Sequence, residues 1–285
     1  MVKLPVFRLV ALLATALPSI VGAVASERGA PTASVRNGTL TGLHLPALKQ
    51  DLFLGVPFAQ PPVGDLRLRH PQPLNSSWDG KRDATKRSDS CVGYAGFARN
   101  LTMSEGMITC LANNAFGLRR ILCADYSPTD CLTVDIVRPA EVGEGDDLPV
   151  FVWIYGGGFT AGGSADQRYN TSYLVQSSVA LEKPIIAVSL NYRIGGWGFL
   201  ASKEVQEDGS SNIGLFDQRL ALRWIKENIK SFGGDPKKIT ISGESAGAFS
   251  VGYHLVGFDG DHDDLFRGAI LQSGTALGPG SELQP

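Results

Sequence analysis

One run, Phe232 to Gly247 (FGGDPKKITISGESAG), constrains the fold more tightly than any other part of the sequence. Lys238 to Ser242 gathers the β-branched residues Ile239, Thr240 and Ile241 and reads as a short strand. Beyond it, Ala246 to Val256 is apolar and rich in Ala and Gly, a segment able to begin a helix at once. Gly243-Glu244-Ser245-Ala246-Gly247 lies between them, a G-x-S-x-G sequence in the strand–turn–helix setting of a nucleophile elbow. A serine lifted onto so sharp a turn leaves no room for β-carbons two residues to either side, where strand and helix converge. The free N–H groups at the start of the helix point back at the turn and favour negative charge forming there. Ser245 is therefore the candidate nucleophile.

A second signal lies upstream. Val150 to Tyr155 is a continuous apolar strand that runs straight into Gly156-Gly157-Gly158-Phe159. Bare backbone after a buried strand lets N–H groups approach a tetrahedral oxygen without β-carbon clashes, as an oxyanion hole requires. Leu132 to Val137 alternates apolar and polar residues and predicts a half-buried strand. Pro184 to Arg193 and Gly268 to Gln272 predict two more strands. Ile213 to Ser231 is the clearest helix, with Leu215, Leu222, Ile225 and Ile229 on one face. Asp217, Arg219, Lys226 and Lys230 are expected to face water, and Asp217-Gln218-Arg219 reads as a solvated stretch without chemistry. Phe232-Gly233-Gly234 ends the helix. Strands alternating with helices imply an α/β protein with a mostly parallel sheet.

With 285 residues and 43% hydrophobic content, the chain has ample material for a large core. A formal charge of −2 gives no electrostatic case for a nucleic-acid partner. Residues 1–25 read as a cleaved secretory signal: Lys3 and Arg8, an apolar run from Leu9 to Ile20, then Ala23-Val24-Ala25. Pro18 interrupts that run, which falls short of the ~20 residues of a membrane span, so no stable membrane anchor is expected. Asn-x-Ser/Thr sequons at Asn37, Asn75, Asn100 and Asn170 fit a secreted glycoprotein. Four cysteines in such a chain suggest two disulfides, with three possible pairings.

Several runs also carry a family resemblance. They are the segment Phe53 to Arg69 containing GVPFAQPPVGDLRL, Asp130-Cys131-Leu132, the Gly156–Phe159 loop, and Asn191-Tyr192-Arg193 with Gly198-Phe199-Leu200. With the Ser245 elbow they resemble the type-B carboxylesterase/lipase family, the cholinesterase-like branch of the α/β-hydrolases. The resemblance covers nearly all of residues 35 to 275 and about the first half of a family member. It implies an α/β-hydrolase fold, a mostly parallel central sheet flanked by helices, truncated before its C-terminal part. It further implies a secreted serine carboxylesterase or lipase acting on a small-molecule or lipid ester, with no metal or organic cofactor. In the implied roles Ser245 attacks the ester carbonyl, and the N–H groups of Gly157, Gly158 and Ala246 hold the oxyanion. The Phe53–Arg69 loop skirts the site and is structural. Cys91 pairs with Cys131, a cross-link that stabilises by ~3 kcal/mol.

Residues 26–285 are thus read as the N-terminal portion of a single domain, interrupted once. Cys110 and Cys123 sit in Gly106 to Thr129, which has no family counterpart. Removing 106–129 joins Glu105 to Asp130 and restores Ser-Glu-Asp-Cys-Leu, the family pattern, so the segment reads as a translated intron. Its alternative is a genuine surface loop.

A serine nucleophile needs a histidine base and an acid to orient it, in the chain order Ser, acid, His for this fold. Only 40 residues follow Ser245, and by resemblance the acid and the histidine lie beyond them, so the chain alone is expected to be inactive. His44 and His70 lie in early segments, His254 is about 13 Å along the helix from Ser245, and His262 lies in the acidic loop Asp259 to Asp264. None reads as the base. The alternatives are a non-catalytic cholinesterase-like binding or adhesion protein, and an inactive truncated fragment. Phe159 and Trp197 are as compatible with core packing as with lining the site.

Overall fold

The computed structural model describes residues 29–93, 126–127 and 130–277. The signal segment, Asn100, Cys110, Cys123 and all of 106–129 except Tyr126 and Ser127 lie outside the described residues. Strands run in chain order as β1 (Thr32–Val35), β2 (Gly38–Thr41), β3 (Leu43–Leu45), β4 (Gln50–Pro57), β5 (Lys81–Asp83) and β6 (Ser90–Cys91). They continue as β7 (Tyr126–Ser127), β8 (Thr133–Pro139), β9 (Leu148–Ile154), β10 (Ile186–Leu190), β11 (Gly234–Glu244) and β12 (Gly268–Gln272). β1, β2 and β5 form a small sheet, and β6 pairs with β7.

The main sheet has seven strands in the order β12-β11-β9-β10-β8-β4-β3. It is mixed. The half holding β12, β11, β9 and β10 is parallel, as expected, while β10, β8, β4 and β3 pair antiparallel. The parallel half needs a crossover between each pair of strands, which the helices supply.

Side chains alternate across the pleat, so β4, β8 and β10 feed two cores. Phe53, Ile136, Val152, Val188 and Ile241 join the larger one, with Ala221, Leu222 and Ile225 of the Ile213–Asn228 helix. Leu52, Leu54, Val137 and Ala187 face the other way, against Val175 of the Ser172–Ala180 helix. Burial on both faces corrects the half-buried reading of β8: Thr133 to Arg138 are all buried. An alternating pattern can be buried throughout when its polar members find partners. Here Asp135 accepts from Gly55 N–H and pairs with Arg87 at 3.2 Å.

The Ile213 helix is α-helical to Asn228, tightens into a 3₁₀ turn over Ile229–Phe232, and stops at Gly233 in the left-handed region. Asp217, Gln218 and Arg219 are buried, not solvated as expected. Asp217 meets Arg193 in a paired ion contact at 2.7 and 2.8 Å and also accepts from Arg193 N–H. Arg219 lies over the Phe258 ring at 3.9 Å and donates to Asp263. Long-range partners turned a polar stripe inward. Asp217→Asn leaves the Arg193 charge buried without its counter-ion and is expected to cost about 3–5 kcal/mol in urea unfolding. A loss under 1 kcal/mol would show that the pair contributes little.

Candidate active site

Four parallel strands end at one level of the sheet, and the candidate residues follow directly from their carboxyl ends. β11 pairs with β9 so that Gly243 lies opposite Ile154, and with β12 so that Glu244 lies opposite Gln272. Ser245 therefore emerges beside the Gly156–Gly158 loop. In open α/β sheets the crevice outside such strand ends is where ligands bind.

Ser245 sits at φ 54°, ψ −122°, a strained conformation for a residue with a side chain. Its N–H donates to Gln272 O at 2.9 Å, and its carbonyl accepts from Phe249 N–H at 3.0 Å as the Ala246–Val256 helix begins. The flanking glycines are required by close approach. A β-carbon at Gly243 would lie 2.3 Å from the Gly247 backbone, and one at Gly247 would lie 2.1 Å from Ile154 O. Only bare backbone lets strand, turn and helix converge this tightly.

The glycine loop lies against the elbow. A β-carbon at Gly156 would sit 2.3 Å from Glu244 O and 3.2 Å from Ser245 Cβ. Gly157 and Gly158 follow at φ 119° and 63°, exposed to solvent, while Ser245 is half-buried. Among the described residues, the N–H groups of Gly157, Gly158 and Ala246 meet no protein acceptor. The arrangement sets the Ser245 hydroxyl next to backbone N–H groups that meet no protein acceptor among the described residues.

None of the four histidines serves Ser245. His254, on the same helix, is buried, and its Nε2 bonds Gln218 Oε1 at 3.0 Å. Gln218 Nε2 donates to Ser250 Oγ at 3.0 Å, and Ser250 Oγ donates to Ala246 O at 2.9 Å. This network ties the first turn of the Ala246–Val256 helix to the Ile213–Asn228 helix. Burial, and secondarily the charge of Arg219, lowers the His254 pKa to about 3, so the ring stays neutral. His44 bonds Asp51 on the far antiparallel edge, His70 bonds Gly209 O, and His262 packs on Phe266. Sequence reading missed the Gln218–Ser250–His254 network. Its one signal is a polar triplet inside an otherwise amphipathic helix.

Cys91 and Cys131 form a disulfide. A cavity of about 290 Å³ opens beside it, lined by Pro62, Arg67, Val92, Arg193 and Trp197. Phe159 is half-buried and packs on Phe199 at 4.7 Å, whereas Trp197 is 40% exposed under Arg67. Of the sequons, Asn75 is exposed, Asn170 is half-buried, and Asn37 is buried with Nδ2 donating to Ser76 O at 2.8 Å.

Two outcomes follow from this geometry. Gly247→Ala is expected to lower thermal stability by about 1–3 kcal/mol through backbone overlap. It should do so more than Gly158→Ala, where a β-carbon finds only Thr160 Oγ1, at 3.8 Å. The reverse order would mean that the elbow is not tightly packed. For His254, the unfolded chain takes up a proton near pH 6.5, the folded chain only near 3. Between these values the unfolded state binds the extra proton, so stability falls as pH falls, by about 2 kcal/mol from pH 7 to 5. Urea titrations of wild type and His254→Gln should differ in that pH dependence; parallel declines would refute it.

Known proteins resemble this chain. The model of the carboxylesterase family matches residues 29–283. Lipase 4 of Diutina rugosa is 43% identical over 267 residues, covering 92% of this chain and 47% of the lipase. Secreted lipase 1 of Botryotinia fuckeliana is 42% identical over 261 residues, covering 89% of this chain and 44% of that protein. The crystal structure of Aspergillus niger EstA superposes with a TM-score of 0.69 at 36% identity, over 85% of this chain and 41% of that one. The chain thus spans a little under half the length of these relatives. Its mixed sheet with flanking helices is that of the α/β-hydrolase fold, and the chain belongs to the carboxylesterase family.

Proposed function

We propose that this chain carries the nucleophile and oxyanion hole of a secreted carboxylic ester hydrolase. The carrying observation is the contact between the two loops: Gly156 backbone packs on Ser245, so one carbonyl group can meet the hydroxyl and the Gly157, Gly158 and Ala246 N–H groups together. Ser245 Oγ attacks the ester carbon and its proton passes to a histidine base. The carbonyl oxygen becomes an oxyanion and accepts hydrogen bonds from those three donors. Collapse expels the alcohol, which takes the proton from the histidine, and water then hydrolyses the acyl-enzyme. The base and its acid are assigned to the part of the family fold that this sequence does not span, since His44, His70 and His254 bond other groups and His262 packs on Phe266.

The lipases to which the chain is similar support a small-molecule or lipid ester as substrate. Among the described residues no helix is long and apolar enough to cross a membrane. Residues 1–25 are proposed as a secretory signal, and Asn75 and Asn170 as the better-exposed glycan acceptors of the described sequons. Segment 106–129 is proposed as a retained intron; a genomic sequence lacking GT and AG at its two junctions would sink that assignment.

A fluorophosphonate probe tests the catalytic reading on the secreted product of the complete transcript. Label is expected on Ser245, with none on Ser245→Ala, and ester hydrolysis should fall at least about 10³-fold in the variant. A folded wild-type product that takes no label would overturn the enzyme reading and leave a binding protein.

A further inference from the structure

We propose that Tyr192 is a positioning residue for the oxyanion loop, its hydroxyl holding the Tyr155 carbonyl from which that loop departs. This inference rests on the hydrolase reading above. Gly156, Gly157 and Gly158 have no side chains to anchor them, so something outside the loop must fix the direction of their N–H groups. The structure shows two ties, both from the segment that follows β10. At the entry, Tyr192 Oη donates to Tyr155 O at 2.8 Å. At the exit, Gly195 N–H donates to Phe159 O at 2.6 Å. Within the loop, Thr160 and Ala161 N–H both donate to Gly157 O at 3.1 Å.

The entry tie is reciprocal. Tyr155 Oη donates to Tyr192 O at 2.8 Å, and the two rings stack at 4.4 Å with an 18° interplanar angle. Both side chains are almost wholly buried, so neither hydroxyl has water as an alternative partner. Burial, and then the neighbouring Tyr155, pushes the Tyr192 phenol well above its usual value, so it remains a donor across the working pH range. Below the same peptide, the Gly247 backbone approaches so closely that a β-carbon there would lie 3.0 Å from Tyr155 C. The peptide leading into the loop is thus held between the nucleophile helix and the Tyr192 hydroxyl. Rotation of that peptide would carry the Gly157 and Gly158 N–H groups away from the position above Ser245. Misplacement by about 1 Å can cost 10²-fold in rate.

Tyr155→Phe and Tyr192→Phe make a matched pair. Each removes one buried, hydrogen-bonded hydroxyl and keeps the stack, but only Tyr192→Phe removes the hydrogen bond to the Tyr155 carbonyl. Amide exchange at Thr160, Ala161 and Gly195 reports the loop's fixity, and the fluorophosphonate labelling rate of Ser245 reports its consequence. Tyr192→Phe is expected to speed exchange at these amides and to slow labelling about 10- to 100-fold, with Tyr155→Phe close to wild type in both. Equal effects in the two variants, scaling with their melting temperatures, would mean a merely stabilising role and overturn the inference. So would an unchanged Tyr192→Phe, while the hydrolase reading stood. A wild type that takes no label overturns the hydrolase reading instead. Exchange in Tyr192→Phe then decides the loop-holding role alone, faster exchange supporting it and unchanged exchange overturning it.

Discussion

The parallel pairing of β11 with β9 is the constraint on which the rest of this structure depends. It sets Gly243 opposite Ile154, so the turn at Ser245 and the glycine loop leave the sheet side by side. The pairing alone does not bring them into contact. That requires the helix after Ser245 to lie on the β9 carboxyl end, with Gly247 against Ile154 O. A methyl group at that point would push the helix outward, and Ser245 with it. Strain at Ser245 is stable only because the flanking packing over-determines the turn.

Around this frame the polar groups are organised by burial. In the Ile213–Asn228 helix, Asp217, Gln218 and Arg219 sit on consecutive positions and serve three different neighbours. Asp217 takes the Arg193 guanidinium, Gln218 bridges Ser250 and His254, and Arg219 reaches the Asp261–Asp263 loop. Each buried polar group is expensive unless paired, so each such contact excludes alternative packings of the helix. The Tyr155–Tyr192 pair applies the same principle one strand away. Its two hydroxyls each bond the other residue's backbone, which links the end of β9 to the segment after β10.

Much of the fold could be read directly. The Ala246–Val256 helix and β12 have the expected limits, and β9 and β10 lie within a few residues of theirs. These elements have strong local signatures: a β-branched or continuous apolar run, then a glycine punctuation. The reading of β8 as half-buried went wrong because alternation reports polarity, and Asp135 is polar but buried beside Arg87. The solvated reading of Asp217 and Arg219 went wrong for the same reason. Their partners, Arg193 and Asp263, stand 24 and 44 residues away, and no helical periodicity reports them.

The sequence by itself determined where the two glycine-bounded turns would be. Gly243, Gly247 and Gly156 stand where a β-carbon would overlap neighbouring backbone, so glycine at these points marks where chain segments converge. Short-range steric limits are written locally, and so they can be read locally. Tertiary structure alone decided that the two motifs meet, since their contact depends on β9 and β11 pairing, with Ile154 opposite Gly243. It also decided that His254 is a buried, neutral strut and not a base. Desolvation and the position of Gln218 set that outcome, and neither exists until the helices pack.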